Sequence, residues 1–247
     1  MRKRLKIIGI QVFVALAMVS SCLDILYAQS SEKSDLTLTG KQQSIITISA
    51  LTAKGDLSSL KPELKKGLDS GLTINEIKEV IVHLYAYCGF PRSIRGLQTF
   101  MDVLDERKAR GIDDTMGADA SPIHQGPSKY ERGKKVLGEL TRAPLERPLT
   151  GYAAFAPVIE IFLKEHLFAD LFERDVLTYA ERELVTISVI SAIGGAELML
   201  RSHLTICLNV GITPAQLMEF PGVIRSAIGK KAAKAARTIV AEVLKNQ

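Results

Sequence analysis

Along most of the chain apolar residues recur three and four positions apart, the spacing of one face of an α-helix. Gln42 to Ala53 follows that pattern and ends at Gly55. A second helix is predicted from Leu57 to Ser70, closed by Gly71, since glycine takes up the left-handed backbone of a helix end without a Cβ penalty. Thr73 opens a third. In Thr73-x-x-Glu76 the hydroxyl can bond the amide three residues on, while the carboxylate reaches back to the Thr73 amide. This helix is expected to run to about Tyr87, where Gly89-Phe90-Pro91 breaks it, and a fourth runs from near Arg92 to Arg107. Gly111 to Pro127, rich in Gly, Asp, Ser and Pro, reads as a linker. Tyr130 to Thr141 and Ala156 to Phe172 add two more helices. No segment alternates with a period of two, so an all-α fold is expected.

The pattern repeats at an offset of about 140 residues. Thr47-Ile48-Ser49, Ala53 and Gly55 match Thr186-Ile187-Ser188, Ala192 and Gly194; Gly71-Leu72-Thr73 matches Gly211-Ile212-Thr213; Glu79 matches Glu219, and Val103-Leu104 matches Val243-Leu244. Thr213-Pro214-x-Gln216 repeats the capping box with proline at the first helical position. Two copies are too few for a solenoid. They predict a duplicated helical unit, residues 36–108 and 130–247 joined by 109–129, whose halves pack face to face.

Composition changes this picture mainly at the N-terminus. Arg2, Lys3, Arg4 and Lys6 precede an apolar run from Ile7 to Val19, the form of an export signal and short for a membrane span. Cleavage after Ala28 would leave a secreted or periplasmic protein. Val19-Ser20-Ser21-Cys22 resembles a lipobox, in which Cys22 would become a lipid anchor. The net charge of +5 is shared between this leader and the last helix. No basic stretch is interleaved with aromatics, so nucleic acid is not an expected partner. An exported chain can carry disulfides, which makes a Cys88–Cys207 bridge one arrangement to consider.

Candidate chemistry centres on Cys88, in Tyr85-Ala86-Tyr87-Cys88-Gly89-Phe90-Pro91. A thiol just ahead of a helix is expected to feel its free amides and to ionise more readily; the alternative is a buried structural cysteine. Glu76, twelve residues earlier, is a candidate general acid or base, though the capping box already employs it. His203 can transfer protons near neutral pH. Glu79 and His83, four apart, read as a helix-surface pair; His166 and His124 are weaker candidates. The sequence has no zinc-spaced His/Cys set, phosphate loop or nucleophile elbow, so no metal or cofactor is expected.

Gly71-Leu72-Thr73-x-x-Glu76-Ile77-x-Glu79-Val80 with Tyr87-Cys88-Gly89-Phe90-Pro91 resembles the core motif of the carboxymuconolactone decarboxylase family. Arg182-Glu183-Leu184-Val185-Thr186-Ile187-Ser188 and Leu200-Arg201-Ser202-His203-Leu204 resemble that family's Arg-Glu-Leu helix and the histidine-bearing helix after it. The resemblance implies an all-α, alkylhydroperoxidase D-like fold and a homo-oligomer, here a trimer of two-unit chains. For function it implies an enzyme, a decarboxylase-like lyase acting on a small carboxylated or lactone-like molecule through Cys88, Glu76 and His203. The reductases of the superfamily, with peroxiredoxin-type activity, suggest a thiol oxidoreductase instead. Here Pro91 replaces their second cysteine and Arg95 stands where their histidine is expected. A non-catalytic binding or scaffold module is the third reading. Copy one lacks the histidine and copy two lacks the Cys-Gly-Phe-Pro turn, so the copies divide the pattern and a site shared between them is expected.

Overall fold

The structure, a computed structural model, describes residues 37–123, 126–144 and 148–246. The leader, its cleavage sites, Cys22 and His124 lie outside them. The described residues form helices and no strand. Copy one consists of α1 (Gly40–Lys54), α2 (Leu57–Asp69), α3 (Ile74–His83) and α4 (Tyr85–Ala109). Between the copies lie α5 (Lys129–Thr141), α6 (Gly151–Phe155) and α7 (Pro157–Phe162), which continues into a π-helical segment, Leu163–Leu171. Copy two consists of α8 (Tyr179–Ile193), α9 (Glu197–Asn209), α10 (Pro214–Ile228) and α11 (Lys230–Lys245).

The first helices of the two copies, α1 and α8, pack along each other at the centre. From Arg182 to Ala192 every residue of α8 is buried, and α1 is buried from Ser44 to Ala53 except at Thr47. Serine hydroxyls enclosed this way bond back to their own helix. Ser49 donates back to the Ile45 carbonyl (2.7 Å), and Ser188 to the Leu184 carbonyl (2.6 Å). Around this pair α2, α3 and α4 complete one half, and α9, α10 and α11 the other. Helix α10 also lies on α1. One continuous apolar core, from Ile48 and Ile77 to Ile187 and Phe220, therefore runs through both copies. Burying each such side chain contributes about 1.5–3 kcal/mol, and much of that would be lost if the halves separated.

The repeat extends to the backbone. Gly89 interrupts α4 at φ 80°, ψ 160°, and Gly229 between α10 and α11 has φ 94°, ψ 178°. Both values need a residue without a Cβ. Copy two thus keeps the hinge although Ile228 and Lys230-Lys231 replace the residues flanking it in copy one.

The helices differ from expectation at three places. The third ends at His83 rather than Tyr87; Leu84 separates it from the short turn Tyr85–Cys88 ahead of Gly89. The long helix expected over 156–172 is α7 followed by the π-helical segment. Its wider ladder is one a sequence period cannot reveal, and such segments recur at functional sites. The linker is not slack. The Ile74 and Asn75 amides donate to the Thr115 and Met116 carbonyls (both 2.9 Å), and Asn75 Nδ2 reaches the Gly117 and Ala118 carbonyls. Arg107 holds the next turn through Asp114. The linker thereby supplies acceptors to amides at the α3 N-terminus that have no partner within the helix.

Helix α5 crosses the π-helical segment over a second apolar cluster that includes Leu140, Phe168 and Phe172. The crossing is close: a Cβ on Gly133 would lie 1.8 Å from the Lys164 carbonyl oxygen.

Candidate active site

Glu79, His83 and Tyr87 are spaced four apart, and Arg182 and Thr186 repeat that spacing on α8. Helical geometry puts each set on one face, and the packing of copy one on copy two brings the faces together in a buried polar network. Glu79, 3% exposed, accepts from Arg174 Nε (2.9 Å) and Nη2 (3.0 Å), and from Arg182 Nη2 (2.8 Å). Arg182, with no exposed surface, also donates to the Arg174 carbonyl and approaches His83 Nδ1 (3.2 Å). A guanidinium can only donate, so Nδ1 is the acceptor and the ring proton sits on Nε2, 3.1 Å from Thr186 Oγ1. His83 is thereby neutral: burial, then the Arg182 and His203 charges, push its pKa well below the usual histidine value.

Thr186 Oγ1 also shares hydrogen bonds with the Arg182 carbonyl (2.9 Å) and the Tyr87 hydroxyl (3.1 Å). Burial, reinforced by the Glu183 charge, raises the Tyr87 pKa, so this phenol keeps its proton at every physiological pH. The Tyr87 ring stands between two histidines, its centroid 5.5 Å from that of His83 and 6.4 Å from that of His203.

His203 projects from α9 of copy two. Its Nδ1 meets Glu183 Oε2 at 2.8 Å, and Glu183 is wholly buried. The carboxylate accepts, so Nδ1 carries a proton, and in the neutral ring the lone pair falls on Nε2. Among the described residues Glu183 Oε1 has no hydrogen-bond partner. The arrangement is a carboxylate-oriented imidazole, able to take up and return a proton at Nε2.

The three residues singled out from the sequence are divided by the fold. His203 reaches the Tyr85–Cys88 turn of the other copy through Tyr87, so the histidine helix and the cysteine turn do meet. Glu76 is held elsewhere: it accepts from the Thr73 amide (2.6 Å) in the capping box and pairs with Lys41 (3.4 Å). Cys88 corrects the expectation of an ionisable thiol. It closes the turn before Gly89, and its Sγ donates to the Leu84 carbonyl (3.2 Å). Burial, only partly offset by Arg92, pushes its pKa up to about 11, so the thiol is protonated at neutral pH. Cys88 and Cys207 are both free, and no bridge joins them.

The sequence reading missed Glu79, His83 and Arg182 as a buried set and took Glu79–His83 for a surface pair. The signal was the spacing of four continuing to Tyr87, which points a polar stripe at whatever packs there. Among the described residues no three His, Cys, Asp or Glu side chains gather closely enough to hold a metal. A cavity of about 320 Å³ lies apart from this cluster, between α5 and α6–α7, lined by Leu137, Tyr152 and Lys164 among others.

The fold and the cluster define a class: an all-helical tandem protein whose two units share a buried acid–base network. Comparison with known proteins makes this specific. Residues 27–100 and 159–242 each match the carboxymuconolactone decarboxylase family, and the chain belongs to that family. It is 31% identical over 119 residues to a 4-carboxymuconolactone decarboxylase of Acinetobacter baylyi, a stretch covering 48% of this chain and 88% of that protein. It is also 29% identical over 67 residues to an uncharacterized protein of Methanocaldococcus jannaschii, covering 27% of this chain and 63% of that one. The first matched region takes in most of copy one, and the second takes in copy two together with most of α7 and the π-helical segment, so the expected tandem arrangement is borne out.

Proposed function

We propose that the protein is a decarboxylase-like lyase acting on a small carboxylated or lactone-like molecule, with His203 as the proton-transferring group. The observation that carries this reading is the Glu183–His203 pair, a buried carboxylate fixing the tautomer of a histidine whose Nε2 has no hydrogen-bond partner among the described residues. Nε2 removes a proton from a carbon beside a carbonyl, or returns one there once carbon dioxide has left. Tyr87 walls the site from copy one. Cys88 holds the turn beside Tyr87 through its bond to the Leu84 carbonyl, and Arg92 near it supplies positive charge for a substrate carboxylate. Glu183 is the carboxylate of this site and orients His203, while Glu76 serves α3 as a cap. The Acinetobacter relative, a 4-carboxymuconolactone decarboxylase, supports the substrate class.

A thiol peroxidase reading is disfavoured, because a thiol with a pKa near 11 supplies almost no thiolate at pH 7. The reading also includes an exported protein, by cleavage after Ala28 or lipidation at Cys22, which mass spectrometry of the mature N-terminus would distinguish.

The test is a screen of carboxylated lactones and unsaturated acids, following ultraviolet absorbance and carbon dioxide release. His203→Gln should lower kcat on any substrate found by roughly 10²–10⁴-fold, the range of general acid–base catalysis. Cys88→Ser should retain most activity, and Glu76→Gln should leave kcat unchanged. Full turnover by His203→Gln would overturn the assignment. Saturable binding without turnover across the screen would favour the binding-module reading instead.

A further inference from the structure

We propose that α6 and α7 form an apolar arm through which two copies of this chain associate about a two-fold axis. The segment connecting the copies carries large apolar side chains that the described residues leave exposed. Phe155 is 92% exposed; Tyr152, Phe162 and Val158 are each more than half exposed; Leu149, Ile159 and Ile161 are exposed as well. Helix α7, Pro-Val-Ile-Glu-Ile-Phe, buries no residue at all, and α6 buries only Ala153. Helix α6, of five residues, is far below the length at which helix persists on its own in water. A helix apolar on nearly every side belongs in an interior. Among the described residues α7 has no such interior, which leaves another surface to provide one.

Charge and area identify the occupant as a second copy. From Pro148 to Ile159 the sequence contains no charged residue, and Glu160 is turned onto Lys164 (2.6 Å). In a chain of net charge +5, this is a surface that two identical copies can press together without like-charge repulsion. An anionic membrane or an acidic partner would call for basic residues on the arm, and none is there. Taking about 150–250 Å² for a whole aromatic side chain, the exposed fractions amount to roughly 700 Å² of apolar surface per chain. That exceeds the largest apolar patch typical of a monomer and approaches the roughly 800 Å² per partner of a standard stable interface. A two-fold arrangement lets each arm cover the other, since the same patch serves both sides. Helix α6 lies between the two family-matched regions and α7 enters the second at Ile159; the contact does not depend on the proposed reaction.

Cysteine cross-linking in the full-length chain tests this. Phe155→Cys and Val158→Cys, oxidised in intact expressing cells, should each give a covalent pair on a non-reducing gel. The unsubstituted chain and Lys108→Cys, on the exposed end of α4, should not. Light scattering on the full chain should give an even multiple of 27.0 kDa, and Phe155→Glu/Phe162→Glu, with unchanged helix content, should halve it. A single-chain or three-chain mass, the same mass for the double variant, or absence of cross-links would overturn the proposal. So would capture of the arm by lipid vesicles without cross-links. If the double variant fails to fold, the cross-linking result decides alone.

Discussion

Replacing Glu79 by glutamine removes one negative charge from between two arginines and leaves the shape of the site intact. The consequences for the two arginines differ. The Arg174 side chain is 39% exposed and can turn to water, whereas the Arg182 side chain has no exposed surface and no route out. The Arg182 guanidinium would remain buried beside a neutral amide, with His83 Nδ1 and one carbonyl as its other acceptors. Breaking a buried pair on one side costs about 3–5 kcal/mol, because the remaining charge is uncompensated. The neutral amide can still accept one hydrogen bond, so about 3 kcal/mol is expected for Glu79→Gln. Glu79 belongs to copy one and Arg182 to copy two, so this loss falls on the junction between the units. Urea unfolding followed by circular dichroism should show it, together with a midpoint temperature lower by roughly 6–12 °C for a chain of this size. Glu79→Met/Arg182→Met should recover most of the loss, because a desolvated pair and an apolar pair of similar volume are nearly equivalent. A loss below about 1 kcal/mol for Glu79→Gln, or no recovery in the double variant, would refute the idea that this pair joins the units through its burial.

Alkylation of Cys88 in native Cys207→Ala protein should be slow at pH 7 and rise with pH toward an inflection near 11; an inflection below about 8.5 would show that the thiol is activated after all. Gly133→Ala would place a methyl 1.8 Å from a backbone oxygen, forcing α5 off the π-helical segment; a loss of roughly 1–3 kcal/mol or more is expected from overpacking, and an unchanged urea midpoint would contradict the close crossing. His83 has a folded-state pKa well below its unfolded value near 6.5. At neutral pH neither state is protonated there. As pH falls below about 6.5 the unfolded chain binds a proton the folded one refuses, so stability declines. His83→Asn should therefore flatten the dependence of the urea midpoint between pH 7.5 and 5.5, and an identical slope in both proteins would count against a buried neutral His83.

Much of this architecture was legible in the chain. Apolar spacing and the Thr73 and Thr213 capping boxes fixed where helices begin, because those signals act within one helical turn. The offset between Thr47-Ile48-Ser49 and Thr186-Ile187-Ser188 revealed the duplication, and the division of motifs between the copies located His203 and the Cys88 turn in different halves. What lay beyond the sequence was every property set by neighbours distant along the chain. Whether the Cys88 thiol stands open at a helix start or half-buried against its own turn depends on how the helices pack around it, and burial is what raises its pKa. Glu79 and His83 have the spacing of a surface pair; only the docking of α8, more than ninety residues away, makes them a buried partner for Arg182. Glu183 gave no sign by its type alone, since its role exists only once α9 sets His203 2.8 Å from it. Local hydrogen bonds and periodicity are written in neighbouring residues, while desolvation and long-range pairing come into being only when the two units close on each other.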